Sequence, residues 1–389
     1  MKIGLVSGEY PPQQGGVGDF TRELAAALAA LGHAAHVITA QPLTPNPSNL
    51  QSPISISLPP SVHRLTSQWT WRSLAQVRRL ARDLSLDALN IQYQAAVYGM
   101  TPPIHFLPRV AGVPTVVTFH DLRLPYLFPK AGALRWRAVL ALARGASAVI
   151  VTNAEDEARL TEAGGLKRLA HIPIGSNIAP ALPPGFDRDD WRARLGAGRQ
   201  DWLLGYFGFL NASKGGETLV RALAQLAGQG RPARLALIGG RSGASDPTDV
   251  GYGAQVDALA RDLGVDARIQ RTGFVPPPEV SACLAACDLV VLPYGDGASF
   301  RRGSLMAALA HGCAIVSTTP ATAQPGLRDG ENIRLVPPGD PAACALAVAE
   351  LMAAPEARAR LGEGARAVSA EFGWEQIAAR TAAVIESVL

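Results

Sequence analysis

The chain has 389 residues, 48% of them hydrophobic and 17% charged, with a formal net charge of +4. That length outgrows a single core, so two domains are expected, each apolar enough to bury a core and too sparsely charged for extended disorder. The mild basic excess suits an anionic small molecule or an anionic membrane surface, and it is too small to indicate nucleic acid. Lys2 to Ser7, KIGLVS, is a short apolar run and reads as a buried strand. The Pro/Gly loop EYPPQQGGVG follows. DFTRELAAALAALG then places Phe20, Leu24, Ala27, Leu28 and Leu31 on one helical face, with Gly32 as its stop. HAAHVITA is the next strand. Strand, glycine loop, helix and strand open a βαβ unit and predict a parallel sheet.

Residues 61–84, SVHRLTSQWTWRSLAQVRRLARDL, read as a helix that mixes Trp69 and Trp71 with Arg64, Arg72, Arg78, Arg79 and Arg82. Such a helix is either a solvated face or a peripheral membrane contact. ALNIQY, TVVTFH and SAVIVTN continue the strands. After Pro173 the stretch IGSNIAPALPPGFDRDD, rich in Pro, Gly and Asp, marks a boundary. Alternation then restarts with WLLGYFGFL, ETLVRALAQLAG, RLALIGG, RIQRTGF, DLVVLPY and AIVST, and EFGWEQIAARTAAVIESVL closes the chain as an amphipathic helix. The expected fold class is α/β, two doubly wound Rossmann-like domains facing a central cleft, with domains at 1–180 and 181–372 and a last helix at 373–389. Cys283, Cys287, Cys313 and Cys344 lack zinc spacing and read as reduced core thiols. Met1-Lys2 runs directly into a strand and no apolar run spans a bilayer, so no signal peptide and a cytoplasmic location are expected, with any membrane contact peripheral.

Several residues carry chemistry. Gly15, Gly16 and Gly18 lie between a strand and a helix, where glycines either make a tight turn or bring amides to an oxyanion. They do not form G-x-G-x-x-G, so no dinucleotide site is indicated. His120 ends a strand and precedes Asp121, as a ligand contact or a core histidine. Lys214 precedes a helix in NASKGGETL, where its ammonium would neutralise a phosphate unless simply solvated. In GDGASFRRGSLMAALAHG, Arg301 and Arg302 precede Gly303 and Ser304. With Ser304 as N-cap, guanidinium and helix-end amides would make a phosphate site; the bland alternative is a solvated arginine pair. Gln92 and Gln94 in NIQYQ are ligands for hydroxyl groups or strand-edge polar residues. Asn153 and Asp156 read as helix caps. The D-x-D string in DRDD at 187–190 precedes a helix and reads as a cap, so no metal is expected.

GEYPPQQGGVGDFTREL, VTFHD at 117–121, HIPIGSN at 171–177, GYFGFLNASKGGETL, GFVPPPEVSACLAACDLVVLPY, ENIRLVPPGD and FGWEQIAAR occur in this order over most of the chain. Together they resemble a family-4 glycosyltransferase of the GT-B fold. The resemblance implies retaining transfer of a sugar from a nucleotide diphosphate-sugar, the donor substrate, with no cofactor. It puts the donor mainly on the C-terminal domain and the acceptor mainly on the N-terminal one, with the last helix crossing back. It implies donor contacts at Gly15, Gly16, Gly208, Gly303, Ser304 and Leu305. Phe274 and Val275 would meet the base largely through backbone atoms, Gln92 and Gln94 would lie on the acceptor side, and His120 would lie beside the transferred sugar. Lys214 with Asp296, Arg301 and Arg302 would handle the leaving diphosphate.

The chain departs from the family pattern in two places. The family pairs its lysine with an arginine five residues earlier, where this chain has Phe209, so Arg301 or Arg302 is the expected replacement. The family's two glutamates, separated by seven residues, align with Ala298 and Met306 without a gap; two inserted residues would put Asp296 at the first. The donor motif is therefore divergent. The alternative is a non-catalytic or weakly active sugar-nucleotide-binding relative, and a nucleotide-sugar epimerase on the same fold is the third reading.

Overall fold

A computed structural model describes residues 1–13, 15–41, 60–66, 68–122, 132–240 and 248–389. The chain divides into two compact units, Met1–Gly175 with Phe372–Leu389, and Ser176–Glu371.

The first unit holds β1 (Lys2–Ser7), β2 (Ala34–Ala40), β3 (Ser61–Thr66), β4 (Ala88–Tyr93), β5 (Thr115–Phe119), β6 (Ala148–Val151) and β7 (Leu169–His171). They pair in the order β3-β2-β1-β4-β5-β6-β7, parallel throughout. Its helices are α1 (Gly16–Ala30), α2 (Trp71–Asp83), α3 (Leu107–Val110), α4 (Gly132–Gly145) and α5 (Ala154–Ala163). Side chains alternate across the strands, so each face of the sheet has its own core. Ile3, Leu5, Val37 and Val116 pack with Phe20, Leu24 and Leu28 of α1 on one face. Leu89, Ile91, Tyr93, Val117 and Phe119 pack with Leu74 and Val77 of α2 on the other.

The second unit holds β8 (Trp202–Phe207), β9 (Ala233–Ile238), β10 (Ile269–Gly273), β11 (Leu289–Leu292), β12 (Ile315–Thr318) and β13 (Arg334–Val336), in the parallel order β10-β9-β8-β11-β12-β13. Around it lie α6 (Arg188–Arg194), α7 (Gly216–Gly228), α8 (Thr248–Asp262), α9 (Pro277–Ala286), α10 (Gly303–Ala310), α11 (Pro341–Ala353) and α12 (Pro355–Ser369). The last helix, α13 (Trp374–Glu386), packs Ile377, Ala378 and Ile385 into the α1 core of the first unit. Strand order reverses between β1 and β4 in one sheet and between β8 and β11 in the other, the positions where such sheets admit ligands.

Three expectations change. Residues 61–84 are not one helix: SVHRLT is the edge strand β3, and α2 starts at Trp71 behind a Thr70–Ser73 capping box. Trp69 is 4% exposed and packs on Tyr98, 5.0 Å between ring centroids, so it belongs to the core and not to an aromatic surface. Helix α10 begins at Gly303 with Arg302 as its N-cap, so Ser304 lies inside the first turn. Asp187 of the DRDD string caps α6, its Oδ1 accepting from the Asp190 amide at 2.9 Å. All four cysteines are free thiols.

Candidate functional site

His120 follows β5 directly, and its backbone is tied down. Its amide donates to Tyr93 O at 3.0 Å and its carbonyl accepts from Thr152 Oγ1 at 3.3 Å. Two residues on, the Leu122 amide donates to Asp156 Oδ2 at 3.2 Å. Asp156 and Asn153 also cap α5 reciprocally, so one pair both starts the helix and clamps the loop that carries His120. The imidazole stands edge-on to Phe20, 4.6 Å between centroids, and Phe20 stands against Trp374 at 5.1 Å.

A buried polar chain runs under this ring. Asn90 Nδ2 donates to Thr118 Oγ1 at 2.9 Å, Gln92 Nε2 donates to Asn90 Oδ1, and Gln92 Oε1 faces His120 Nε2 at 2.9 Å. With its nitrogen used, the Gln92 amide offers His120 only an oxygen, so Nε2 carries the proton and Nδ1 is left as an acceptor. Burial pushes the His120 pKa down to about 3, which keeps the ring neutral. Gln92 is fully buried and both ends of its amide are used inside the sheet. It therefore acts on His120 instead of reaching an acceptor. Gln94 is half-buried at the start of the 3₁₀ turn Ala95–Tyr98.

The glycine loop also changes meaning. Gly15 is the N-cap of α1, and the amides of Val17 and Gly18 both donate to Glu9 Oε1 at 3.0 Å. A Cβ on Gly15 would lie 2.2 Å from that oxygen. The α1 terminus thus already holds an anion, a carboxylate whose pKa burial raises despite the two amides. The phosphate reading is left with Gly16, which is exposed; a Cβ there would meet no atom within 4 Å.

In the second unit four segments converge on the carboxyl edge of the sheet. Gly208, after β8, has φ +121, a conformation that favours glycine. A Cβ there would lie 3.4 Å from Lys214 Nζ and 3.6 Å from Ser304 Cβ. Lys214 closes the 3₁₀ turn Ala212–Lys214 ahead of α7, and its ammonium lies 5.6 Å from the centre of the Phe209 ring. The residue standing where the family has a cation thus seats the lysine by a cation–π contact.

After β11, Asp296 contacts both arginines: Arg301 Nη2 at 3.5 Å and Arg302 Nη2 more closely. Arg302 also lies over Tyr294, 4.9 Å to the ring centre, and donates to Ser213 Oγ at 3.3 Å. Its Nε is buried with no hydrogen-bond partner among the described residues. Tyr294 in turn meets Ser304 Oγ at 2.7 Å and the Leu305 amide, and burial pushes its pKa up to about 12.

This arrangement corrects the Ser304 cap and bears on Leu305, Ala298 and Met306. Ser304 spends its hydroxyl on Tyr294 and does not cap the helix. Leu305 is fully buried and offers no side chain to a ligand. Ala298 and Met306 are 2% and 1% exposed, and neither side chain supplies a charge to the carboxyl edge of the sheet. Phe274, 57% exposed, and half-buried Val275 follow the edge strand β10. Sequence reasoning missed Glu9, Tyr294 and Asn90. Among the described residues, no group of three or more His, Cys, Asp or Glu is placed to hold a metal ion.

Two parallel doubly wound domains with ligand-facing carboxyl edges define the GT-B class. Solved structures share the fold: sucrose-phosphate synthase from Thermosynechococcus elongatus aligns with a TM-score of 0.77 at 23% identity, covering 100% of this chain and 99% of that one. Anabaena Alr3699/HepE in complex with UDP aligns at 0.76 and 22%, covering 100% of each. Residues 15–175 match the family model of the glycosyl transferase 4-like domain, and residues 202–354 that of glycosyl transferases group 1. The chain belongs to the family-4-like glycosyltransferases. Among curated relatives, D-inositol 3-phosphate glycosyltransferase from Xylanimonas cellulosilytica is 36% identical over 238 residues, 58% of this chain and 52% of that protein. The chain spans about half the length of the curated relatives it matches. Among the described residues no helix is long and apolar enough to cross a membrane.

Proposed function

We propose that the protein transfers a sugar, with retention at the anomeric carbon, from a nucleotide diphosphate-sugar held mainly by the second unit to an acceptor held mainly by the first. The observation that carries this reading is the convergence of Lys214, the Asp296–Arg301–Arg302 cluster and the start of α10 around Gly208. Cations and helix amides placed where charge develops lower the barrier to diphosphate departure. The anomeric C–O bond breaks with its electrons going to the diphosphate. The acceptor hydroxyl adds on the same face, and its proton passes to a leaving phosphate oxygen. His120, neutral and open at Nδ1, accepts a hydrogen bond from a sugar hydroxyl and is no nucleophile. Side-chain cations neutralise the diphosphate in this scheme. The support from relatives is that HepE was solved with UDP and with UDP-glucose.

The test is a panel of UDP, GDP, ADP and dTDP with their sugars, read by calorimetry, by nucleotide release and by NMR of the product anomer. Failure to bind any nucleotide overturns the reading, and an inverted anomer overturns retention. A second reading, a binding protein with little turnover, is favoured by Asp296, which offsets one of the two guanidinium charges; binding without turnover across acceptors would establish it. For the membrane contact, the features in its favour are the exposed Trp71, Arg72, Arg78, Arg79 and Arg82 of α2. Cosedimentation with anionic vesicles at low salt is the expected result, and its absence rejects the contact.

A further inference from the structure

Strand β2 and the edge strand β3 each carry a histidine on the same face of the first sheet. In their parallel register Ile38 pairs with His63 and His36 pairs with Ser61, so His36 and His63 are diagonal neighbours. His36 Nδ1 stands 3.3 Å from His63 Nε2, with ring centroids 5.5 Å apart and the planes at 32°. Both residues are half-buried. Burial lowers the pKa of each ring, and His63 and Lys2 lower that of His36 further, so both rings are neutral at pH 7.

As a neutral pair, one ring donates its N–H and the other accepts, and at 3.3 Å that bond is long. The same spacing suits another partner. Two nitrogens bound at ~2.0–2.1 Å to one tetrahedral ion stand about 3.3–3.4 Å apart. With its proton on Nε2 in His36 and on Nδ1 in His63, each ring turns a bare nitrogen to the other, the form that ligates a metal. Reaching it takes a change of tautomer and no backbone movement. Lys2 is the cation whose field reaches His36. A positive neighbour penalises ions held by charge alone, such as Mg²⁺ and Ca²⁺, more than ions that bond strongly to imidazole, such as Zn²⁺ and Ni²⁺.

The pair also sits where a staple has an effect. β3 lies at the sheet edge and has β2 as its one neighbour. Arg64, next to His63, donates to Ala40 O at 3.2 Å and to Pro11 O at 2.6 Å, so β3 in turn holds the loop ahead of α1.

We propose that His36 and His63 form a two-histidine site for one transition-metal ion of the zinc class, and that the ion ties the edge strand β3 to β2. Among the described residues no group of three or more ligands is placed to hold a metal, so water completes the coordination and the ion exchanges freely. The site is independent of the diphosphate chemistry of the second unit.

The full chain, free of any affinity tag and stripped with a chelator that is then removed, is titrated with Zn²⁺, Ni²⁺ and Mg²⁺. One saturable site for Zn²⁺ and Ni²⁺ is expected, none for Mg²⁺, and Zn²⁺ should raise Tm. His36→Gln and His63→Gln should each weaken Zn²⁺ binding at least tenfold and remove the rise in Tm. The rival ligands are His33, which precedes β2, and His171, whose Nδ1 lies 3.2 Å from Glu157 Oε2; His33→Gln and His171→Gln should bind Zn²⁺ as the wild type does. Imidazole ¹⁵N shifts of the wild type give a readout that needs no variant, because Zn²⁺ should move the His36 and His63 signals together. Three results overturn the proposal: no saturable Zn²⁺ binding below millimolar concentration, full binding retained in both His36→Gln and His63→Gln, or shift changes confined to other histidines.

Discussion

Two helix N-termini in this molecule look alike in sequence and differ in charge. Each follows a glycine-containing loop after a parallel strand. At α1 the amides of Val17 and Gly18 are occupied by the Glu9 carboxylate. At α10 the internal partner is a neutral phenol, Tyr294, and the surroundings are cationic: Lys214, Arg301 and Arg302 against one Asp296. The first terminus carries its anion within the chain, whereas the second keeps a net positive charge. A glycine loop before a helix therefore does not by itself mark a phosphate site; the nearby side chains decide whether an external anion is needed.

The sharpest way to break this contrast is Lys214→Ala. Losing one charge-assisted contact of about 1.5–3 kcal/mol should weaken nucleoside diphosphate binding by roughly one to two decades and leave nucleoside binding unchanged. Equal losses in calorimetry would remove the lysine from the phosphate role. Glu9→Gln should leave nucleotide affinity alone and change stability in urea unfolding little at neutral pH, because burial offsets what the carboxylate gains from its two amides. The same pair has a pH signature. Glu9 has its folded pKa raised above the ordinary 4.5. Its native state holds the proton longer than the unfolded chain, so its contribution is fullest below pH 4.5 and declines as pH rises through the folded value. The stability gap between wild type and Glu9→Gln should accordingly widen on acidification, and a gap that narrows would contradict the assignment.

Gln92→Leu should release the His120 tautomer. Imidazole ¹⁵N shifts are expected to show protonated Nε2 in the wild type and a mixture in the variant, with a loss in kcat of about fivefold, near 1 kcal/mol. Because His120 titrates near pH 3, no limb near pH 6.5 in the activity profile should arise from it. A small effect is expected for Tyr294→Phe, about 0.5–1 kcal/mol of stability from the lost Ser304 contact. A fall in diphosphate affinity of a decade or more there would mean that the phenol touches the ligand.

Interior strands were legible in the sequence because a parallel sheet buried on both faces writes them as apolar runs, as in KIGLVS and DLVVLPY. The strands missed were β3, β7 and β13, which all lie at sheet edges. An edge strand has one neighbour, so SVHRLT can be polar and RLV can be three residues long. His120, Lys214 and the arginine pair were singled out in the sequence by their places at strand and loop ends. Their partners were not. Asn90 and Gln92 sit inside a run that otherwise reads as core, and Glu9 lies eight residues from the amide it binds, across the Pro11-Pro12 turn. The Tyr294–Ser304 contact spans ten residues between a strand end and a helix, a distance that periodicity does not report.

The return of α13 to the first unit has a consequence for synthesis. On the ribosome, residues 176–371 emerge complete while the first unit still lacks Trp374, Ile377 and Ile385. The second unit can thus fold as an insertion, whereas the first closes only once α13 has emerged. A chain cut before residue 372 would keep its Lys214 cluster and lose the Trp374–Phe20 wall behind His120. A nascent chain would accordingly complete the unit that carries Lys214, Arg301 and Arg302 before it completed the wall behind His120.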